Sequence, residues 1–268
     1  MKRLFKVGLS MFVLALVLIA MSYTALRAKG ISSPSSSAGR ALRAESRTIP
    51  ATVTHVDLSG PIDLTLRRGA TPSLKVSGEQ RLLANVDTTV DGATIHIGPK
   101  GMLFHHKQPL QVELVLPALT GVEVHGNGSS RITGFSGDKF TLELGGSGDI
   151  SFTGRYKEVE ASVNGSGNLD INAGNSDKIS LELIGSGNLN ASGNTRVLNS
   201  ELSGSGDIDA EHLASDTATV SVQGSGQATV FVRDNARLTL RGSGDIHVHG
   251  NPRQRDAQRT GSGDIVWH

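Results

Sequence analysis

A three-residue phrase returns through the second half of the chain, and its spacing restricts the fold more than any other feature. Its first glycines are Gly126, Gly146, Gly165, Gly185, Gly204, Gly224, Gly242 and Gly261, at intervals of 20, 19, 20, 19, 20, 18 and 19 residues. The phrase reads Gly-Asn-Gly at Gly126 and Gly-Ser-Gly at the rest. A near-constant period in this range marks a stacked array, in which each unit is one coil that cannot bury an apolar face alone.

Counting back from each phrase, the residues two, four and six positions earlier are mostly apolar and alternate with polar ones, as in Phe140/Leu142/Leu144, Val159/Ala161/Val163, Ile179/Leu181/Leu183 and Ala218/Val220/Val222. Strict period two is the pattern of a half-buried β-strand, since helical spacing would scatter these side chains over several faces. The alternation resumes after the glycines with Ile150/Phe152, Leu169/Ile171, Ile208/Ala210 and Ile246/Val248. Each phrase is therefore a tight corner joining two arms whose inward faces meet. A β-meander with glycine hairpins fits less well, because hairpin turns favour two-residue Asn-Gly or Asp-Gly loops. The expected fold is an all-β solenoid, a β-helix of 18- to 20-residue coils over residues 121 to 268.

Stacking places equivalent side chains about 4.8 Å apart. The serines of the phrases (147, 166, 186, 205, 225, 243 and 262) should form one ladder that caps the turns. The residues after each second glycine should form another: Asp149, Asn168, Asn188, Asp207, Gln227, Asp245 and Asp264. Mixing amides with carboxylates relieves the repulsion that an all-Asp column would suffer. The open end of the stack needs a cover. Arg255, Ala257 and Arg259 replace the usual apolar triplet there, so this arm should face water, with Trp267 over the final rung.

Residues 48 to 120 lack the phrase but keep the alternation, in Ile62/Leu64/Leu66, Leu74/Val76, Ile95/Ile97 and Leu110/Val112/Leu114/Leu116. Asp91-Gly92 is a hairpin signal. This segment is expected to be a β cap or a set of irregular early coils, with Gly101 to Pro109 an exposed loop. Residues 1 to 29 carry Lys2, Arg3 and Lys6 ahead of an apolar run from Val7 to Met21, the pattern of an export signal. Ala20-Met21-Ser22 offers small residues for cleavage, yet the uncharged stretch from Val7 to Leu26 also has the length of a membrane anchor. Residues 30 to 47, rich in Ser, Ala and Arg, read as a flexible tether between this segment and a folded domain over 48 to 268.

The order of these features, an export segment, a β segment with VDGATIHI, then LVLPALTGVEVHGNGS leading into GSGDI and GSGNL units, resembles the bacterial family described as putative auto-transporter adhesin, head GIN domain. The resemblance covers residues 50 to 268. It implies a right-handed, extracytoplasmic solenoid of largely uncharacterised function. The sequence stops at His268 without a translocating barrel, so the expectation is that other machinery carries the chain if it reaches the surface.

Chemistry is sparse. With no cysteine, thiolate metal sites, lipid attachment through cysteine and cysteine nucleophiles are excluded. A formal net charge of +1 gives no electrostatic case for nucleic acid, and Arg233, Arg237, Arg241, Arg253, Arg255 and Arg259 are interleaved with Asp234, Asp245 and Asp256, as on a solvated face. Asp207, Asp245 and Asp264 would stand one or two rungs apart, but any ladder yields such spacings, so no catalytic residue is assigned and the chain is not read as an enzyme. The Gly/Asp pattern at residues 145 to 150 has the wrong period and aspartate offset for a calcium roll. His249 and His268 should lie side by side, with His247 on the same arm. Neither they nor the loop residues His105 and His106 complete a metal site, and no metal or cofactor is expected.

The expected function is an exported, non-enzymatic binding scaffold whose polar faces meet a glycan or an envelope or surface protein. A structural periplasmic module tethered to the inner membrane through the N-terminal segment is the alternative, and a polysaccharide-acting enzyme comes third. The expected location is the periplasm or cell surface.

Overall fold

The computed structural model describes residues 41–101 and 110–268. Within Ala41–His268 the strands form one continuous sheet of 17 members that winds into a β-solenoid, as expected. Its regular part runs through β8 (Gly121–Gly126), β9 (Ser129–Gly146), β10 (Asp149–Gly165), β11 (Asn168–Gly185), β12 (Asn188–Gly204), β13 (Asp207–Gly224) and β14 (Gln227–Gly242). Each of β10 to β14 is one bent strand that travels around a whole coil, from one glycine corner to the next. Successive coils pair in parallel with equivalent glycines opposite one another, as in Gly165↔Gly185 and Gly204↔Gly224. Midway, a register shift marks a second corner, between Thr153 and Glu158 in β10. Each coil thus has a leading arm after the phrase and a trailing arm before it.

The corner explains the glycines. The first glycine of each Gly-Ser-Gly has φ between 124° and 138°, and a Cβ on it would fall on the carbonyl oxygen of the glycine one coil earlier. At most corners that oxygen accepts two N–H groups from the next one: Gly185 O takes Ser205 N at 2.9 Å and Gly206 N at 3.1 Å. The second glycine has ordinary φ but the same lack of room. The serine between them points to solvent, and among the described residues its hydroxyl makes no hydrogen bond. Stacked backbone, and not the expected serine capping, closes these turns.

The inward residues of both arms form one aliphatic core. Its aromatic part lies in the first coils, where Phe140 stacks on Phe152 at 4.4 Å and on Tyr156 at 5.0 Å. The Tyr156 hydroxyl donates to Leu119 O at 2.7 Å inside the core, and burial pushes its pKa up to about 12.

The N-terminal segment is both early coil and cap, in an order that the chain does not follow. β2 (His55–Ser59) and β3 (Ile62–Arg68) make a coil with Gly60-Pro61 as its corner. β2 pairs in parallel with β8 on one side and β6 (Thr94–Pro99) on the other; β3 lies likewise between β9 and β7 (Leu110–Leu116). The chain therefore builds the second coil from the end first, leaves to form the cap, and returns to slide β6 and β7 beneath it. The cap consists of β4 (Ser73–Glu79), antiparallel to β7, a single helical turn α1 (Gln80–Leu83) and β5 (Val86–Asp91). β5 and β6 form the expected hairpin, with Asp91↔Thr94 and Gly92 at φ 57°.

The tether expected to run to residue 47 ends earlier, because Leu42–Arg47 is a strand, β1, antiparallel to β4. It was invisible to periodicity because it is an edge strand with almost no buried face. Backbone pairing holds it, together with Arg47, which donates to Val86 O, Leu83 O and Thr88 Oγ1. The expected export segment and the rest of the expected tether lie outside the described residues, as does most of the expected 101–109 loop.

The far end closes as expected. β15 (Asp245–His249), β16 (Gln254–Gly261) and β17 (Ile265–Trp267) are the last rungs, and β16 is exposed throughout. Arg255, Ala257 and Arg259 stand over Ala236, Leu238 and Leu240. The Arg255 guanidinium lies 4.8 Å from the Trp267 ring, which packs on the core. Charge in place of an aliphatic row discourages further strand addition at this edge.

Candidate functional site

With the interior filled, chemistry is confined to the outward columns of the two arms. The leading arm carries the expected column that follows the second glycine. Asn168 Nδ2 donates to Asp149 Oδ1 at 2.7 Å, and Asn188 Nδ2 donates to Asn168 Oδ1 at 2.8 Å. Further along, the Gln227 N–H donates to Asp207 Oδ1 and the Asp264 N–H to Asp245 Oδ1. A second column two residues on was not singled out in the sequence: Asn190 Nδ2 donates to Asp170 Oδ1 at 2.7 Å, with Asp209 next in line. Between the two columns lies an open groove of about 560 Å³ lined by Asp149, Asn168, Asp170, Asn188, Asn190 and Asp207 among others. A smaller groove of about 240 Å³ beside it reaches Asn172, Ser192 and His212. Here amide donors and carboxylate acceptors repeat at the rung spacing of about 4.8 Å.

The trailing arm is different. Its groove, about 540 Å³, is lined by Glu123, Glu143, Glu160, Glu182 and Glu201 together with serine, threonine and asparagine. Lys139 takes Glu160 at 2.8 Å, and His55 lies 3.2 Å from Glu123. At the second corner, ion pairs link successive coils, including Asp138–Lys157, Asp177–Arg196, Asp216–Arg233 and Asp234–Arg253. The Lys157 ammonium holds the Asp138 carboxyl below its ordinary pKa, and Lys157 is raised in return. Both are exposed, so the pairs add little to stability. The late arginines follow the same rule, with Arg237 on Asp256 and Arg259 on Asp264.

The aspartates weighed for catalysis occupy ladder positions. Asp245 accepts the Asp264 backbone N–H, and Asp264 is clamped by Arg259 at 2.6 Å. His249 and His268 do lie side by side, with ring centroids 4.6 Å apart, and His247 Nδ1 lies 3.2 Å from His268 Nε2. The structure also gathers Asp209, Glu211 and His212, a group that the sequence reading missed. The available signal was one irregular interval: the 20-residue coil that contains these residues precedes the single 18-residue coil.

Three solved structures share this fold: a putative lipid binding protein from Parabacteroides distasonis (23% identity, TM-score 0.78, 85% of this chain and 96% of that one), a putative adhesin from the same species (22%, 0.79, 86% and 98%) and a putative adhesin from Parabacteroides merdae (21%, 0.75, 85% and 96%). These three are named as adhesins or binding proteins, not as enzymes. No functionally curated protein matches the chain. Among the described residues no helix is long and apolar enough to cross a membrane. Residues 53–252, more than half of the sequence, match a family model, and the chain belongs to the family described as putative auto-transporter adhesin, head GIN domain.

Proposed function

We propose that this protein is an exported, non-enzymatic binding scaffold of adhesin-like type, and that its leading-arm face binds a hydroxyl-rich repeating polymer, a glycan of the envelope or of a surface. The observation that carries this reading is the double column of Asp149, Asn168, Asn188 and Asp207 beside Asp170, Asn190 and Asp209 along one open groove. A hydroxyl both donates and accepts. Adjacent carboxylates and amides answer both roles, and their repetition on successive rungs multiplies a weak contact along a polymer. Export and a periplasmic or surface location are part of the proposal, and they rest on the N-terminal Lys/Arg-then-apolar pattern and the family.

The test is a glycan array probed with the full-length protein. Polymer binding that falls about tenfold or more in Asn168→Ala/Asn188→Ala/Asn190→Ala, and is unchanged in Glu182→Ala/Glu201→Ala on the other arm, is the expected result. Binding to no glycan would overturn the reading in favour of a tethered structural module, and equal loss from both arms would rule out the leading-arm assignment. Protease shaving of intact cells separates surface from periplasm.

A further inference from the structure

Every coil interrupts its alternation at the second corner, and in β13 that corner carries a distinctive group of side chains. Asp209 pairs with Asn190 in the preceding coil and Thr229 in the following one, but register resumes at Leu213 with Gly193 on one side and at Ala214 with Phe231 on the other. Glu211 and His212 are partnered by neither neighbour. They stand in a bulge whose far side is anchored by the fully buried Leu213. In an undisturbed strand His212 would point inward; here Asp209, Glu211 and His212 are all exposed. Their ligand atoms lie within 4.8 Å of one another.

We propose that these three residues bind a divalent first-row transition ion, with zinc as the reference member. A four-coordinate ion with metal–ligand bonds of about 2.0–2.2 Å needs donors about 3.3–3.6 Å apart, a separation that small rotations of exposed side chains reach from the observed one. The backbone N–H of Glu211 donates to Asp209 Oδ1 at 3.0 Å, which fixes one carboxylate and leaves its other oxygen free to coordinate. A further imidazole stands at hand: His249 Nδ1 lies 3.9 Å from Glu211 Oε1, and His268 stacks on His249. β13 thus meets β15 across the short β14, whose coil is the 18-residue one.

Charge points the same way. Among the described residues no lysine or arginine pairs with Asp209 or Glu211, the latter meeting only His249, whereas Asp177, Asp216 and Asp234 at the corners of these coils each meet an arginine from the next coil. The donor set selects the class of ion. An imidazole with two carboxylates suits zinc and its neighbours, while calcium and magnesium prefer oxygen alone.

The experiment is titration of full-length protein with zinc chloride, and separately with calcium chloride, followed by calorimetry and thermal melting. The expected result is one zinc site whose occupancy raises Tm, with affinity falling about 100-fold in Asp209→Asn/His212→Ala and about tenfold in His249→Ala, while calcium at the same concentration leaves Tm unmoved. The metal-free melting temperature of the double variant should match the parent, since Asp209 and His212 are exposed, and the half-buried His249 is compared against its own metal-free melt. Should a second site appear at other histidines, the expected result is loss of one of the two in the double variant. Zinc affinity and stoichiometry unchanged in the double variant would overturn the proposal, as would calcium binding as tightly as zinc.

Discussion

Replacing Gly204 by alanine should cost this protein about 4 kcal/mol, and the figure follows from two separable effects. Gly204 has φ 136°, a conformation that costs a residue with a side chain about 1–3 kcal/mol. A Cβ there would also meet Gly185 O, the oxygen that accepts Ser205 N and Gly206 N. The coils must part to admit it, weakening two backbone bonds worth about 0.5–1.5 kcal/mol each. Gly206→Ala isolates the second effect, because Gly206 has no such dihedral but its Cβ would meet Gly187 O, which accepts only the Asp207 N–H; about 1–2 kcal/mol is expected. Ser205→Ala, at an exposed position, should change stability by less than about 0.5 kcal/mol. Guanidinium melts of the parent and the three variants give the ranking directly. In a stack whose units touch only their neighbours, a fault at this depth should also broaden the transition or split it in two. A Gly204→Ala protein that unfolds within about 0.5 kcal/mol of the parent would refute the claim that close backbone stacking selects these glycines.

Other expectations follow from single groups. Ser200 is buried in an otherwise largely aliphatic column with no partner for its hydroxyl, so Ser200→Ala should raise stability by about 1 kcal/mol, read as an increase in the denaturation midpoint. Tyr156 is neutral in the core with its pKa pushed up to about 12. An unfolded tyrosine ionises near 10, so folding is insensitive to this group below pH 10 and loses about 1.4 kcal/mol per pH unit from there to about 12; stability against pH for Tyr156→Phe should lack that decline. Asn168→Asp replaces the amide that donates to Asp149 with a carboxylate while keeping an acceptor for Asn188, and should lower Tm at low salt by the equivalent of about 1 kcal/mol, with partial recovery in 1 M salt.

The solenoid was legible because each of its causes leaves a periodic mark. Inward residues must be apolar at every second position, and a corner stacked on a corner excludes Cβ, so the interval between phrases is the length of a coil. The early coil of β2 and β3 uses Gly60-Pro61 at its corner, with Gly60 at φ 87° beneath Gly126. It obeys the same physics without the same letters, and a search for the phrase passes over it. The order of insertion was not legible, since placing β6 and β7 below β2 and β3 depends on which parallel edges remain free, and alternation is blind to that. β1 escaped notice because it buries nothing. The leading-arm column was readable from register, as was the His249–His268 contact; the grouping of Asp209, Glu211 and His212 required knowing that Glu211 and His212 leave the ladder together just after Asp209.

That contrast bears on where specific chemistry can reside in such a molecule. A perfect repeat offers the same outward atoms on every rung, which suits avidity toward a polymer; its side chains meet in pairs along a column, but with strands about 4.8 Å apart and same-face neighbours along a strand further still, it does not bring three onto one point. Convergence needs a local departure from the period. In β13 the departure is anchored by Leu213 beneath and matched by the short β14 beside it, so the core remains filled while the outer face changes. Deleting Glu211 and His212 tests this separation of roles. The coil shortens to the 18 residues of its neighbour, so the deletion should leave the fold intact, with a Tm within a few degrees of the parent, while removing zinc binding. Collapse of the fold would instead mean that the bulge is required for packing.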